Sequence, residues 1–402
     1  MRQTRSLTWL LLAFLVLVAT ATVLLRHPDA TLIQERGPLL QHVQAGPPPI
    51  VEPTGRLEEA FELARTATVK IEARCAGREW GPPLGIGTGF FVSSDGMLLT
   101  AYHVVDPTDM RLTCRVAYTA VTHDESRYHL ELVGFDAYMD IAAMRAAVDR
   151  SVDFLPLAQS PAAVGDQIVA VGNSRNQFLA ARAGMVTRLG IRPGRSDFAD
   201  ETIELTASLA PGDSGGPVIN ARAEVIGVVS YISFNPTAMS SETYIPPYLR
   251  GVALPRNFAS YAVPVVQEGA LAAAVLGGLQ RDVPVLGFSW ELDYDPKSSD
   301  VYLGVRPGPI VFNVTEGSPA DLAGLRSLSQ VQEALPNGTA RIVVLADVIT
   351  AVDGVATPTF SDLMAQIRSK DIGQRVEITV QRGNATLRLE IVLGARREVF
   401  RS

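Results

Sequence analysis

The chain has 402 residues, enough for about two or three domains and more than one hydrophobic core. Hydrophobic residues make up 47% of it and charged residues 19%, which excludes an intrinsically disordered chain. A formal net charge of −7, with no dense block of Lys or Arg, excludes nucleic acid as a partner held by its phosphate backbone.

In chain order, the first predicted element is of membrane length. Arg2 and Arg5 precede an uncharged, mostly apolar run from Ser6 to Leu25, which Arg26 closes. About 20 residues at about 1.5 Å each span the roughly 30 Å of a hydrocarbon core, so residues 6–25 are expected to form one transmembrane helix, with residues 1–26 as the anchor. Arginines before the run favour a cytoplasmic N-terminus and an extracytoplasmic remainder. The alternative is a signal peptide cleaved after Ala19-Thr20-Ala21, which leaves the bulk of the chain equally outside the cytoplasm. Residues 27–56 include Gly46-Pro47-Pro48-Pro49, lack periodicity and are expected to be a tether.

Between residues 57 and 265, short β-type runs alternate with turn signals. They fall at Thr68 to Glu72, Thr88 to Val92, Met97 to Ala101, Arg111 to Tyr118, Ile168 to Val171, Ile203 to Leu205, Pro217 to Ile219 and Glu224 to Val229. Many short strands at this spacing predict an all-β barrel or sandwich. Residues 266–282 are read as a connecting helix, centred on the Ala- and Leu-rich stretch Gln267 to Leu279. Residues 283–396 change character: five strands surround two helical stretches, Pro319 to Leu325 and Phe360 to Ser369, which predicts a small α+β module. The two cysteines, Cys75 and Cys114, either close a loop of about 40 residues, worth about 4 kcal/mol as a disulfide, or are separate buried thiols. Neither a C-x-x-C nor a Cys/His metal spacing occurs, so no metal site is expected.

Three segments carry chemistry, in the order His, Asp, Ser. They are Thr100-Ala101-Tyr102-His103-Val104-Val105, Asp140-Ile141-Ala142-Ala143-Met144 and Gly212-Asp213-Ser214-Gly215-Gly216-Pro217. Nucleophilic serine chemistry needs an uncovered hydroxyl, an imidazole to take its proton and a carboxylate to fix the imidazole tautomer. Glycines around Ser214 permit a tight turn whose amides, in the stretch Gly212, Asp213 and Ser214, can form an oxyanion hole, above all those of Gly212 and Ser214. Of five histidines, His27 and His42 lie in the tether and His123 and His129 in polar surroundings, which leaves His103 as the base. Asp140 opens an apolar strand, where a carboxylate needs a partner, and an imidazole would supply one.

These segments resemble the HtrA (Deg) proteases, in which a trypsin-like domain precedes one or more PDZ domains. The likeness covers about three quarters of the chain and extends to Val171-Gly172-Asn173-Ser174, Gly184-Met185-Val186 and Ala262-Val263-Pro264. It implies a mainly β fold, a chymotrypsin-like double β-barrel of two six-stranded barrels followed by an α+β PDZ domain. One anchor and one PDZ domain are most similar to the membrane-anchored DegS-like branch, and the family's habit implies a homotrimer. In the second domain, Val285, Leu286, Gly287 and Phe288 match the family's carboxylate-binding loop, whose amides capture a peptide C-terminus, and Tyr302-Leu303-Gly304-Val305 is a rival for that role. Two inserts, Glu291 to Pro309 and Arg326 to Arg341, depart from the compact PDZ pattern.

The chain departs from the family at Asp213, where Asn is usual. Digestive relatives with Asp there pair it with a freshly cut N-terminus, so Asp213 needs another partner or lies exposed. Ser208, six positions before the nucleophile, and Leu209 are the candidate pocket residues, and the absence of a carboxylate predicts preference for a small or medium apolar side chain over Lys or Arg. The expected function is that of a membrane-anchored serine endopeptidase in envelope quality control or stress signalling, using no cofactor. Its expected partners are unfolded or membrane-protein substrates and C-terminal peptides. A catalytically inactive PDZ scaffold and a secreted scavenging protease are the alternatives. Because His103 must be neutral to act, activity is expected to fall as pH drops through about 6.5.

Overall fold

A computed structural model describes residues 50–78, 81–106, 114–191, 202–233, 259–299, 301–334 and 340–400, and the description below concerns these. The expected anchor at residues 6–25 and most of the tether lie outside them. Among the described residues no helix is long and apolar enough to cross a membrane.

The described chain begins with helix α1 (Arg56–Ala67), whose inward face is a stripe of alanines, Ala60, Ala64 and Ala67. Glu58 and Glu59 in its first turn and Arg65 in its last complement the helix dipole. Strand β1 (Thr68–Cys75) follows and pairs antiparallel with β2 (Gly85–Phe91) on one side and β4 (Val116–Val121) on the other. With β3 (Met97–Thr100), β5 (Arg127–Asp136) and β6 (Ile141–Ala146), these strands run in the order β5-β4-β1-β2-β3-β6, and a β5–β6 pairing closes the first barrel. The second closed barrel takes the order β10-β11-β12-β9-β8-β7. Its strands are β7 (Gln167–Gly172), β8 (Ala180–Ile191), β9 (Thr202–Leu205), β10 (Pro217–Ile219), β11 (Val225–Ser233) and β12 (Ala259–Pro264). Residues 234–258, between β11 and β12 in the chain, fall outside the described set.

Strand pleating explains why so many strands read as unbroken apolar runs. Phe91 and Leu98 point into the first barrel, while their neighbours Phe90 and Leu99 point out and meet Val169, Val171, Ile219 and Val228 of the second. Both faces are buried because the seam between barrels is itself a core, which α1 helps to close through Ala60, Ala64 and Ala67. Cys75 and Cys114 form a disulfide across the first barrel's edge, with Cα atoms 5.6 Å apart.

Helix α3 (Ala270–Leu276) and the short strand β13 (Gln280–Arg281) connect to the C-terminal module, and β13 adds in parallel to the end of β5. The module is built on a four-stranded sheet of Asp347–Val352, Val355–Ala356, Arg375–Arg382 and Ala385–Val392. Its helices are α4 (Pro319–Leu322), capped by Ser318, α5 (Phe360–Arg368), opened by a capping box of Thr359 and Asp362, and α6 (Arg396–Val399). Leu286, Val311, Leu363, Ile367, Ile378 and Val380 are among its buried core.

Candidate active site

His103 lies on helix α2 (Tyr102–Val105), which starts two residues after β3 ends. Asp140 immediately precedes β6, with its backbone in the left-handed region at φ 51°, a conformation that Asp tolerates better than most side chains. This turn directs the carboxylate at the imidazole: Nδ1 of His103 is 2.8 Å from Oδ2 and 3.1 Å from Oδ1 of Asp140. An ionised carboxylate only accepts, so the bond puts a proton on Nδ1 and leaves Nε2 as the acceptor in the neutral ring. The His103 amide also donates to Oδ1 at 2.9 Å. Burial would raise the pKa of Asp140, but the charge and bonds of His103 and the Ser230 hydroxyl outweigh it and hold the carboxyl below the ordinary range.

Ser230, in β11, joins the two barrels' contributions. Its hydroxyl donates to Asp140 Oδ2 at 2.6 Å, and its carbonyl oxygen is 3.5 Å from the Ser214 hydroxyl. Nothing in its local sequence marks it, because a serine in an apolar strand becomes informative only when its partner across the seam is known.

The serine turn is pinned by backbone groups and by the Thr88 side chain. Thr88 of β2 donates its amide to the Ser214 carbonyl at 2.8 Å and its hydroxyl to the Gly212 carbonyl at 2.7 Å. Gly215 donates to Val229 at 2.7 Å. Gly215 has φ 83°, and a Cβ there would overlap the Thr88 carbonyl and the Thr100 hydroxyl, so only glycine fits. Gly212 has φ 105°. Among the described residues neither its amide nor that of Ser214 is taken by an acceptor. The Asp213 amide does not join them: it donates to the Ala210 carbonyl at 3.0 Å, which corrects the expectation that all three residues contribute to one anion-binding spot.

Asp213 is not exposed. Its side chain is 1% accessible and turned inward, where Oδ1 accepts the Ser174 amide at 3.0 Å and Oδ2 the Ala210 amide at 2.9 Å. Burial pushes its carboxyl above the ordinary range, against these bonds and the favourable charge of Arg182. Arg182 is buried and bridges to the Ser174 hydroxyl and to Gln177 at 3.2 and 2.6 Å. Two backbone amides hold the Asp213 carboxylate, and the favourable charge of Arg182 does not outweigh its burial. An arginine between small apolar residues, Ala180-Ala181-Arg182-Ala183-Gly184, was the available sequence signal.

Ser208 and Leu209 are both buried, at 2% and 1% accessibility. The Arg175 guanidinium donates to the Ser208 carbonyl at 2.8 Å and to its hydroxyl at 3.2 Å, so the position six before Ser214 carries a cation. His123 and His129 are exposed.

In the C-terminal module, Val285 belongs to a strand pair with Gly394–Ala395, Leu286 is in the core, and Phe288 starts a strand beside Asn313–Val314. Gly287, at φ 92°, donates nothing to Ser318 but accepts its hydroxyl through the carbonyl at 3.0 Å. In the rival loop two amides are occupied: Leu303 donates to the Tyr294 hydroxyl and Val305 to Gln381, as does the following Arg306. Trp290 stacks on Phe360, the first residue of α5, with ring centroids 4.4 Å apart.

Comparison with known proteins agrees with this layout. Residues 87–228 match the trypsin-like peptidase domain and residues 284–393 match the PDZ domain. The chain is 27% identical over 319 residues to the chloroplastic Protease Do-like 1 of Arabidopsis thaliana, covering 77% of this chain and 64% of that one. It is 28% identical to a probable periplasmic serine endoprotease, DegP-like, of Chlamydia trachomatis and 27% identical to its counterpart in Rhizobium meliloti. These matches cover 76% and 77% of this chain and 53% of each relative. The chain thus spans between about half and two thirds of the length of these relatives. Double barrel, seam site and appended module define a trypsin-like peptidase domain followed by one PDZ domain. The chain's similarity to DegP-like serine endoproteases agrees with the resemblance to the HtrA family.

Proposed function

We propose that the chain is a serine endopeptidase acting outside the cytoplasm, with Ser214 as nucleophile, His103 as general base and acid, and Asp140 as the group that orients His103. The observation that carries this reading is the bonded series from His103 through Asp140 to Ser230, whose carbonyl meets the Ser214 hydroxyl. Ser214 attacks the peptide carbonyl as His103 Nε2 takes its proton. The amides of Gly212 and Ser214 stabilise the oxyanion, His103 returns the proton to the leaving amine, and water repeats the sequence to release the acyl group. Arg175 at Ser208 supports exclusion of Lys and Arg before the scissile bond, because a like charge would meet them in a part-buried site.

The disulfide supports an oxidising, extracytoplasmic compartment. The finer reading is of a DegS-like protein held by residues 6–25, with a protease domain at 57–265, a connecting segment at 266–282 whose helix is confined to Ala270–Leu276, and a peptide-binding domain at 283–396. In that reading the chain forms a homotrimer in envelope quality control or stress signalling. Amides of the loop 285–288 bind the C-terminal carboxylate of unfolded or membrane-protein chains. Casein digestion by the full chain tests the activity. Turnover is expected for the parent and none for Ser214→Ala, and equal digestion by the two would rule the reading out.

A further inference from the structure

We propose that the connecting segment and the C-terminal module together act as a brace for the His103–Asp140 pair, with Arg281, Arg368 and Arg396 as positioning residues, an inference that rests on the peptidase reading above. Two short segments carry this pair, residues 102–106 and 135–140, and the linker and module hold both by charged side chains.

The segment that leads to Asp140 is wound around the carboxylate of Asp136, whose Oδ1 accepts the amides of Tyr138 and Met139 at 3.0 and 3.1 Å. Arg281 grips that same carboxylate with two nitrogens, Nε at 3.0 Å from Oδ1 and a terminal nitrogen at 2.8 Å from Oδ2. Backbone reinforces the grip, since Phe135 and Ala137 donate to the carbonyls of Leu279 and Arg281 at 2.6 and 2.8 Å. Tyr138, two residues before Asp140, has the guanidiniums of both Arg281 and Arg368 over its ring at 4.9 Å. Arg368 also donates to the Tyr138 carbonyl at 3.1 Å.

The segment that carries His103 is held in the same way. Asp106, three residues after His103 and 1% exposed, pairs with Arg396 at 3.1 Å. Tyr102, adjacent to His103, stacks on Phe135 with centroids 4.5 Å apart, and the Arg397 guanidinium lies 5.0 Å from the Phe135 ring. The module's first residues complete this contact, because Val283 is buried in the same cluster as Tyr102, Val105 and Phe135.

Rotation of either segment would misalign the imidazole against the serine turn, which belongs to the other barrel. Misplacement by about 1 Å can cost on the order of 100-fold in rate. Helix α5 also gives the brace a physical connection to the peptide groove. Its first residue, Phe360, stacks on Trp290 beside the carboxylate-binding loop, and its last, Arg368, holds Tyr138.

The test uses the full chain and two variants, Arg368→Met and the paired Asp106→Asn/Arg396→Met, which removes both partners and so leaves no buried charge alone. Hydrolysis of a fixed peptide substrate is measured per serine titrated with a fluorophosphonate, alongside thermal unfolding. The brace predicts that kcat falls about tenfold or more with KM unchanged within about twofold, and that Arg368→Lys recovers part of the loss by restoring a cation over the ring. A lowered Tm with kcat per titrated serine equal to the parent's would make these residues merely structural and overturn the proposal. Parent turnover no higher than that of Ser214→Ala would remove the peptidase reading and the brace together, whereas equal turnover in parent and variants removes the brace alone.

Discussion

Around Ser214 the chain is held mainly by backbone, with a Thr88 amide, a Val229 carbonyl and a glycine whose Cβ position is already occupied, and by one side chain, the Thr88 hydroxyl on the Gly212 carbonyl. Around His103 and Asp140 they are side chains: a serine hydroxyl from β11 and arginines from beyond the barrels. Backbone restraint of this kind depends on close approach, which leaves no room for an added atom at Gly215. Restraint by side chains draws on Ser230, 90 positions from Asp140, and on Arg281, 145 positions from Asp136. The serine half is therefore expected to fail through geometry and the His–Asp half through chemistry.

The sharpest separation of the two halves is Asp140→Asn. It preserves shape but disfavours the tautomer that leaves Nε2 free, and kcat is expected to fall about 10⁴-fold while circular dichroism stays that of the parent. Gly215→Ala should break the other half by sterics. A Cβ at φ 83° against the Thr88 carbonyl and Thr100 hydroxyl is expected to cost roughly 3 kcal/mol or more in denaturant unfolding, and stability within about 0.5 kcal/mol of the parent would break the contrast.

A smaller effect is expected for Glu72→Gln, a control in the first barrel away from the site. Burial would raise the Glu72 pKa, but bonds from Lys70, Arg127 and Arg74 pull it from 4.5 to about 2. A depressed carboxylate pKa stabilises the fold above the unfolded value, and that contribution is lost as pH falls from about 4.5 toward about 2. The substitution should therefore cost on the order of 1–2 kcal/mol at pH 7 and progressively less below pH 4.5, with kcat unchanged. A penalty independent of pH would mean that the charge of Glu72 is not what its neighbours hold.

The same contrast explains what could be read in the sequence. The strands, the His103, Asp140 and Ser214 segments and the α+β module were legible because glycine spacing, alternation and adjacent motif residues are local signals. Ser230 and Arg175 were not, since each matters through a partner at least 30 residues away in the chain. Asp213 looked like a residue in need of a terminus, yet two backbone amides from within the fold bond its carboxylate. Helix α1 escaped notice because its buried stripe is alanine, which gives a weak apolar rhythm next to a Pro-rich tether. Arginines 281, 368 and 396 resemble ordinary surface charges until the module is docked on the barrel.

Labelling of the full chain with a fluorophosphonate, followed by mass spectrometry of its peptides, tests most directly whether these groups form one reactive centre. The account predicts a single adduct on Ser214, formed rapidly by the parent and at least about 10³-fold more slowly by His103→Ala. An adduct on a different serine, or labelling of Ser214 at the same rate with the imidazole removed, would contradict it.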